Sequence, residues 1–327
     1  MVLIGKIFST FEFFRAFLTI KNIQISKEIV KYGICSNVIK YNIKTKEICF
    51  CELGINIPRE KSGFLIKGYN YAILLKDSAK AIFSTTEDGE LLIHIDALNF
   101  FVQSEEDFYI LKEVFLDGIY NIIDSKKNLI IDIGMNVGIS SIYLSSKGYK
   151  KIFSFEPFKQ TYEQALKNLK LNPQFTKNII PNNFGLGEKN EILSVDFCYE
   201  YKGSMSLIGI PKRIQMNGIK GNRETVIIKE VNEILIPIFK NHEGFDFILK
   251  IDCEGSEYGI LNSLNEGNAL QKIKSIMVEW HSKGPEPLVE ILNNAGFTIF
   301  SFSPLCKSIG MIYAVNSNIQ GDVNWNG

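Results

Sequence analysis

From residue 128 onward, short apolar runs alternate with stretches whose apolar residues recur every three or four positions. The runs fall at 129–133, 151–155, 177–183, 246–252, 274–280, 297–302 and 310–315, and the helical patterns fill 138–147, 158–171, 231–240, 256–270 and 286–295. Alternation of this kind predicts an α/β domain: a mainly parallel sheet covered by helices on both faces, with a C-terminal pair of strands that turns antiparallel. Residues 190–230 break the rhythm. Glu191 to Phe197, a polar loop with Gly203-Ser-Met-Ser206, and Thr225 to Lys229 predict an inserted β-hairpin whose loop overhangs the site.

The first hundred residues follow other patterns. Ile4, Ile7, Phe8, Phe11, Phe14 and Leu18 share one face of an opening helix. Such a face docks on its own domain, on a second copy in a homodimer, or on a membrane surface, so peripheral membrane contact by residues 1–20 stays open. Lys6, Glu12 and Arg15 interrupt the segment. Each would cost roughly 2.5–3.5 kcal/mol at the centre of a bilayer, which argues against a transmembrane segment. Short β-rich pieces follow, at Val38 to Ile43, Glu47 to Leu53, Gly63 to Leu75 and Glu90 to Ile95, with an Asp88-Gly89 turn before the last. Asp107 to Ile123 then reads as a helix. The expected organisation is an N-terminal helix and β-rich extension or lid at 1–105, a principal domain at 106–315 carrying the 190–230 insertion, and a polar tail at 316–327.

Composition narrows the function. Of 327 residues, 46% are apolar, enough for a substantial core. Lys and Arg together number 36, as do Asp and Glu, so no global field attracts nucleic acid. The cysteines at 35, 49, 51, 198, 253 and 306 form no Cys-x-x-Cys pair, and three histidines leave zinc little to bind. They read as reduced thiols of a cytoplasmic protein, and no secretory cleavage pattern is present.

Two constellations carry chemistry. Leu129-Ile-Ile-Asp-Ile-Gly-Met-Asn-Val-Gly138 ends an apolar run in an acid and passes through a glycine turn into a helix. Gly134 and Gly138 allow close approach of a ligand, and Glu156, ending the next run, is placed to grip ribose hydroxyls. In the second, Asp246-Phe-Ile-Leu-Lys-Ile-Asp-Cys-Glu-Gly-Ser-Glu257, Asp252 and Glu254 lie where a central strand leaves the sheet and border the cofactor cleft. Lys250, inside that strand, needs a buried partner, for which Glu279 is the candidate. His281 ends its own strand at the same edge and has the pKa of a general base. A nicotinamide-dependent oxidoreductase would show a tighter Gly-x-Gly-x-x-Gly turn, whereas Met135 and Asn136 stand here. A non-catalytic cofactor-binding or scaffold protein is the other alternative.

Residues 107–315 resemble the FkbM family of S-adenosylmethionine-dependent methyltransferases. The matching pieces are Glu113-Val-Phe with Tyr120, Asp132-Ile-Gly-Met-Asn-Val-Gly138, Phe155-Glu-Pro157, Asn168-Leu-Lys-Leu-Asn172, Leu249-Lys-Ile-Asp-Cys-Glu-Gly-Ser-Glu257 and Val278-Glu-Trp-His281. Val231-Asn-Glu-Ile-Leu235 departs from the family's Thr-Leu-Asp type segment, away from any site residue. The resemblance implies a seven-stranded, Rossmann-like class I methyltransferase fold, S-adenosylmethionine as cofactor, and O-methylation of a hydroxyl on a sugar, glycan or secondary metabolite. It implies that Asp132, Gly134 and Gly138 hold the methionine part, that Asn136 and Asp252 also border the cofactor, and that Glu156 binds the ribose diol. Asn183 and Phe184 would meet the adenine. His281 or Asp252 is then the expected base, with Glu254 orienting it or the acceptor. A variant makes Asp252 and Glu254 ligands of Mg²⁺, with no third ligand evident; otherwise no residue is assigned to a metal.

Overall fold

The computed structural model describes residues 12–18, 20, 22–34, 38–121, 128–149, 151–207, 221–306 and 309–319. Ile4, Ile7, Phe8, Phe11, Cys35 and most of the tail lie outside these residues. The chain forms two compact units, Met1–Gly118 and Ile119–Gly327.

In the first unit, residues 12–18 are helical and α1 follows at Ile23–Lys31, capped by Asn22, whose side chain accepts from the Ile25 N–H. β1 (Ile39–Asn42), β2 (Glu47–Phe50) and β3 (Ile55–Pro58) form one antiparallel sheet. β4 (Ile82–Thr85), β5 (Leu91–Ile95) and β6 (Leu98–Val102) form another. The strand expected at Gly63 to Leu75 is instead two helices, α2 (Gly63–Lys67) and α3 (Tyr69–Ser78). Their buried residues, Leu65, Ile66, Tyr69, Ala72 and Leu75, fall at the three- and four-residue spacing of a helix rather than at alternate positions. α4 (Glu105–Lys112) starts in a capping box between Ser104 and Asp107 and buries Phe108, stacked 6.3 Å from Phe64. These contacts hold α4 in the first unit, so the chain divides after Gly118, later than the expected boundary at 105.

The second unit is built on a seven-stranded sheet. Its strands are β7 (Leu129–Ile133), β8 (Ile152–Phe155), β9 (Ile179–Asn182), β13 (Phe247–Ile251), β14 (Ile273–His281), β15 (Phe297–Cys306) and β16 (Ile309–Asn316). Their order is β15-β16-β14-β13-β7-β8-β9. β7, β8, β9, β13 and β14 pair in parallel, and β16 runs antiparallel to both β14 and β15. This is the Rossmann-like class I methyltransferase arrangement.

The helices are α5 (Ile139–Ser146), α6 (Lys159–Leu171), α7 (Pro173–Thr176), α8 (Val231–Asn241), α9 (Glu257–Glu266) and α10 (Glu286–Asn294). Every residue of β7 and β13 is buried, as in central parallel strands covered on both faces. Ile131, Ile133, Leu249, Ile251 and Val278 pack in one core with Leu235 and Phe239 of α8, Leu261 and Leu264 of α9, and Leu288 and Leu292 of α10. The insertion is a hairpin of β11 (Glu191–Phe197) and β12 (Asn222–Glu230), with β10 (Gly185–Gly187) parallel to β12 on its other side. The loop at 208–220 lies outside the described residues. Cys49, Cys51, Cys198 and Cys253 are free thiols. Among the described residues no helix is long and apolar enough to cross a membrane.

Candidate active site at the carboxyl ends of the central strands

Strand order reverses between β7 and β13, since the chain runs from β7 outward to β9 and then returns to β13 on the other side. Open parallel sheets bind ligands in the crevice beyond such a switch point. The glycine turn after β7 and the acidic turn after β13 meet there. The Asp252 N–H donates to Ile133 O at 3.0 Å. Gly134 has φ +84, and a Cβ built on it would lie 1.7 Å from Asp252 O. Gly134→Ala therefore combines a left-handed backbone, worth ~1–2 kcal/mol against an L side chain, with a backbone collision. The expected result is a lower melting midpoint and loss of cofactor binding, read by calorimetry; a variant that melts and binds like the wild type would contradict the packing.

Asp132 is fully buried. Its Oδ2 accepts from the hydroxyls of Ser140 and Ser141, at 2.8 and 2.6 Å, on the first turn of α5. Its Oδ1 lies 3.1 Å from Lys250 Nζ. The carboxylate thus locks the glycine turn to the helix behind it and to β13. Lys250 Nζ also donates to Gly134 O at 2.6 Å and lies 3.5 Å from Asp252 Oδ2. Register explains the pairing: Lys250 stands opposite Asp132 on β7 and Met277 on β14, so Glu279 lies further along its strand. The expected Lys250–Glu279 pair is corrected to Lys250 with Asp132 and Asp252. Burial pulls the ammonium's pKa down, but Asp132 first and Asp252 next outweigh it, and the net shift is upward.

Glu156 follows β8 and is buried. One oxygen accepts from the Asn136 N–H at 3.0 Å and the other from the Phe158 N–H at 2.9 Å. Burial pushes its pKa up to about 7, against the pull of those two N–H groups and of Lys250. Asn136 has φ +50, a left-handed conformation that aims its amide at Glu156, and its side-chain oxygen is buried without a hydrogen bond. Gly138, with φ +83, caps α5. Asn183 donates to Glu156 O at 2.9 Å and Pro157 O at 3.3 Å, tying the end of β9 to that of β8. Phe184 is half-buried, 5.5 Å from the Phe155 ring, and Lys229 Nζ stands 4.0 Å from its centroid. These positions fit S-adenosylmethionine: an orphaned acceptor at Asn136, a carboxylate whose oxygens each keep a lone pair, and an aromatic ring at the sheet's end.

Beyond β13 and β14 the site is acidic. Asp252 is 30% exposed at its side chain and accepts from Tyr120 Oη at 3.3 Å. His281 is nearly buried, with Nε2 at 3.7 Å from Glu254 Oε1 and 3.8 Å from Glu279 Oε1, and Nδ1 at 3.3 Å from Glu257 Oε1. Burial opposes charge on the ring, but Glu257, then Glu254 and Glu279, outweigh it and push its pKa up to about 10. Asp252 and His281, the two residues expected to serve as base, thus stand at one edge, with the carboxylates favouring the protonated ring. The cluster sets five carboxylates (Asp132, Asp252, Glu254, Glu257 and Glu279) against two cations, Lys250 and His281.

Sequence reasoning brought Asp132, Gly134, Asn136, Gly138, Glu156, Asp252, Glu254 and His281 to this edge, and the structure gathers them there. It gave no role to Glu257, which is fully buried and accepts from the Gly255 and His281 N–H groups. No motif marks Ser140 and Ser141, and Glu279 acts on Lys250 only from beyond its ion-pair partners Asp132 and Asp252. The spacing Glu279-Trp-His281 on one strand carried the signal for Glu279 beside His281, because residues two apart share a face.

A methyltransferase FkbM domain matches residues 132–299. The chain is 28% identical over 232 residues to methyltransferase sdnD of Sordaria araneosa, covering 64% of this chain and 89% of that protein. It is 23% identical over 236 residues to the AMB antimetabolite synthetase AmbE of Pseudomonas aeruginosa, covering 59% of this chain and 11% of that protein. The crystal structure of methyltransferase FkbM from Methylobacillus flagellatus aligns with 76% of this chain and 59% of its own at 12% identity, with a TM-score of 0.37. With more than half of its length matched by that domain, the chain belongs to the FkbM methyltransferase family.

Proposed function

We propose that this methyltransferase carries a methyl group from S-adenosylmethionine to a hydroxyl oxygen of a sugar, glycan or secondary metabolite. The observation that supports it best is the convergence of the glycine turn, Glu156 and the Asp252–Glu254–His281 cluster on one sheet edge. Family membership sets aside the nicotinamide-dependent oxidoreductase. The cofactor supplies an activated methyl group, so the protein's task is to align the acceptor oxygen and receive its proton.

Glu156 would hold the ribose diol, and the backbone of Gly134, Asn136 and Gly138 the methionine part. Asn183 and Phe184 would border the adenine. Asp132 acts one step back, since its three partners leave it no free face and its grip on Ser140, Ser141 and Lys250 shapes the turn. Asp252 is the proton acceptor, being the most exposed carboxylate measured in the cluster and anchored by Tyr120. Glu254, 25% exposed at its side chain, stands beside it toward His281 and orients the acceptor.

Calorimetry with S-adenosylmethionine, followed by a screen of hydroxylated acceptors with methyl-labelled cofactor, tests the reading. No cofactor binding overturns it, and binding without transfer to any acceptor points to a non-catalytic protein. Asp252→Asn is expected to lower turnover by about 10²-fold or more, the usual worth of a positioned base, with cofactor affinity little changed. Turnover equal to wild type removes Asp252 from the chemistry.

A further inference from the structure

Glu279 takes no part in gripping the cofactor or in receiving the proton, yet it stands in the most charged part of the cleft. Glu279 and His281 lie two residues apart on β14, so their side chains leave the same face of the sheet. Asp252 follows the end of the neighbouring β13. One carboxylate oxygen from each acid and one ring nitrogen of His281 lie within 4.8 Å of one another.

The His281 Nε2 separations, 3.7 Å to Glu254 and 3.8 Å to Glu279, are too long for hydrogen bonds. Neighbouring ligands of one cation, each about 2.0–2.4 Å from it, sit roughly 3–4 Å apart. The ring is only 7% exposed at its side chain, so Nε2 is not simply given over to bulk water. The other ring nitrogen faces Glu257, a fully buried carboxylate that also accepts the His281 N–H at 2.8 Å. Histidines that ligate metals are commonly fixed in this way, by a carboxylate on the second nitrogen.

We propose that Asp252, Glu279 and His281 form a binding site for a divalent first-row transition cation, with Glu257 orienting the histidine. Two carboxylates and one imidazole suit Mn²⁺, Fe²⁺ or Zn²⁺ better than Mg²⁺ or Ca²⁺, which prefer all-oxygen shells. This differs from the Mg²⁺ variant with Asp252 and Glu254 alone, because Glu279 and His281 supply the missing ligands. An acceptor hydroxyl bound as a further ligand becomes more acidic. Its proton would pass to Glu254, with its oxygen bonding the methyl carbon as the carbon–sulfur bond breaks. Asp252, the proton acceptor when no cation is bound, would then serve as ligand. That purpose rests on the methyl-transfer reading, whereas binding of the cation does not.

Mn²⁺ titrated into the full chain, followed by electron paramagnetic resonance and calorimetry, tests the site. The expected result is one Mn²⁺ per chain, bound at least about tenfold more weakly by Glu279→Gln and by Asp252→Asn. Glu279→Gln keeps the shape of the side chain, and its S-adenosylmethionine affinity, measured in parallel, should match wild type and so report an intact fold. Failure of the folded wild type to bind millimolar Mn²⁺ overturns the proposal, as does equal Mn²⁺ affinity in the Glu279→Gln protein. Either result leaves the methyl-transfer reading standing, because that reading fails through the cofactor titration or the acceptor screen.

Discussion

Glu156→Gln is expected to weaken S-adenosylmethionine binding roughly 100-fold at pH 8. Hydrogen bonds to a charged acceptor are each worth about 1.5–3 kcal/mol, and the ribose diol offers two donors. A total near 3 kcal/mol corresponds to about two decades of affinity. The pH dependence identifies the cause. The carboxyl of Glu156 titrates near 7 in the free protein, and only its ionised form accepts both hydroxyls. Wild-type affinity should therefore be flat above neutrality and fall by up to about tenfold per unit below it, while Glu156→Gln shows no such slope. Stability runs the opposite way. A carboxyl raised from 4.5 to about 7 by burial leaves the free fold most stable below the lower value. That contribution is lost as pH rises through the upper one. The cofactor-induced rise in melting midpoint should consequently be larger at pH 8 than at pH 5.5. Equal rises at both values, or equal affinities for wild type and Glu156→Gln, would place the ribose elsewhere.

Lys250→Met should be the most damaging single change to the fold. It leaves Asp132, fully buried, with two serine hydroxyls but no cation, and removes the donor to Gly134 O. Breaking one side of a buried ion pair costs about 3–5 kcal/mol, which for a domain of this size lowers the melting midpoint by roughly 6–20 °C. Adding Asp132→Asn should recover part of that loss, because the stranded charge disappears. The same substitution alone should destabilise, since it takes the nearer counter-charge from Lys250 and leaves it Asp252 at 3.5 Å. A thermal melt of the four proteins measures the coupling; additive effects of the two substitutions would show that the pair does not act as a unit.

Much of the second unit was legible because its strands are buried on both faces. Leu129–Ile133 and Phe247–Ile251 read as unbroken apolar runs with one ion each, and the ion marks the interior of the site. The turns were legible too, since Gly134 and Gly138 have conformations that ordinary side chains resist. What sequence could not supply was register. Whether Lys250 meets Asp132 or Glu279 depends on how β13 slides against β7 and β14, and nothing local to Lys250 encodes that. The upward pull on the His281 pKa is hidden for a similar reason. Its ordinary pKa suggested a base, but three carboxylates from two different segments surround it. Gly63 to Leu75 was misread because a run containing Phe, Ile, Tyr and Leu suits a strand by propensity. Only the spacing of its buried members reveals the helices.

The position of β16 governs when this sheet can be finished. It lies between β14 and β15 and hydrogen-bonds to both, although it is the last of the seven to be synthesised. A nascent chain that has already made residues 273–306 carries two strand edges with open donors and acceptors, and no earlier strand can fill the gap between them. Such edges template intermolecular pairing. Residues 309–316 must therefore be available before β14 and β15 can join one sheet, and a chain stalled short of them is expected to be association-prone.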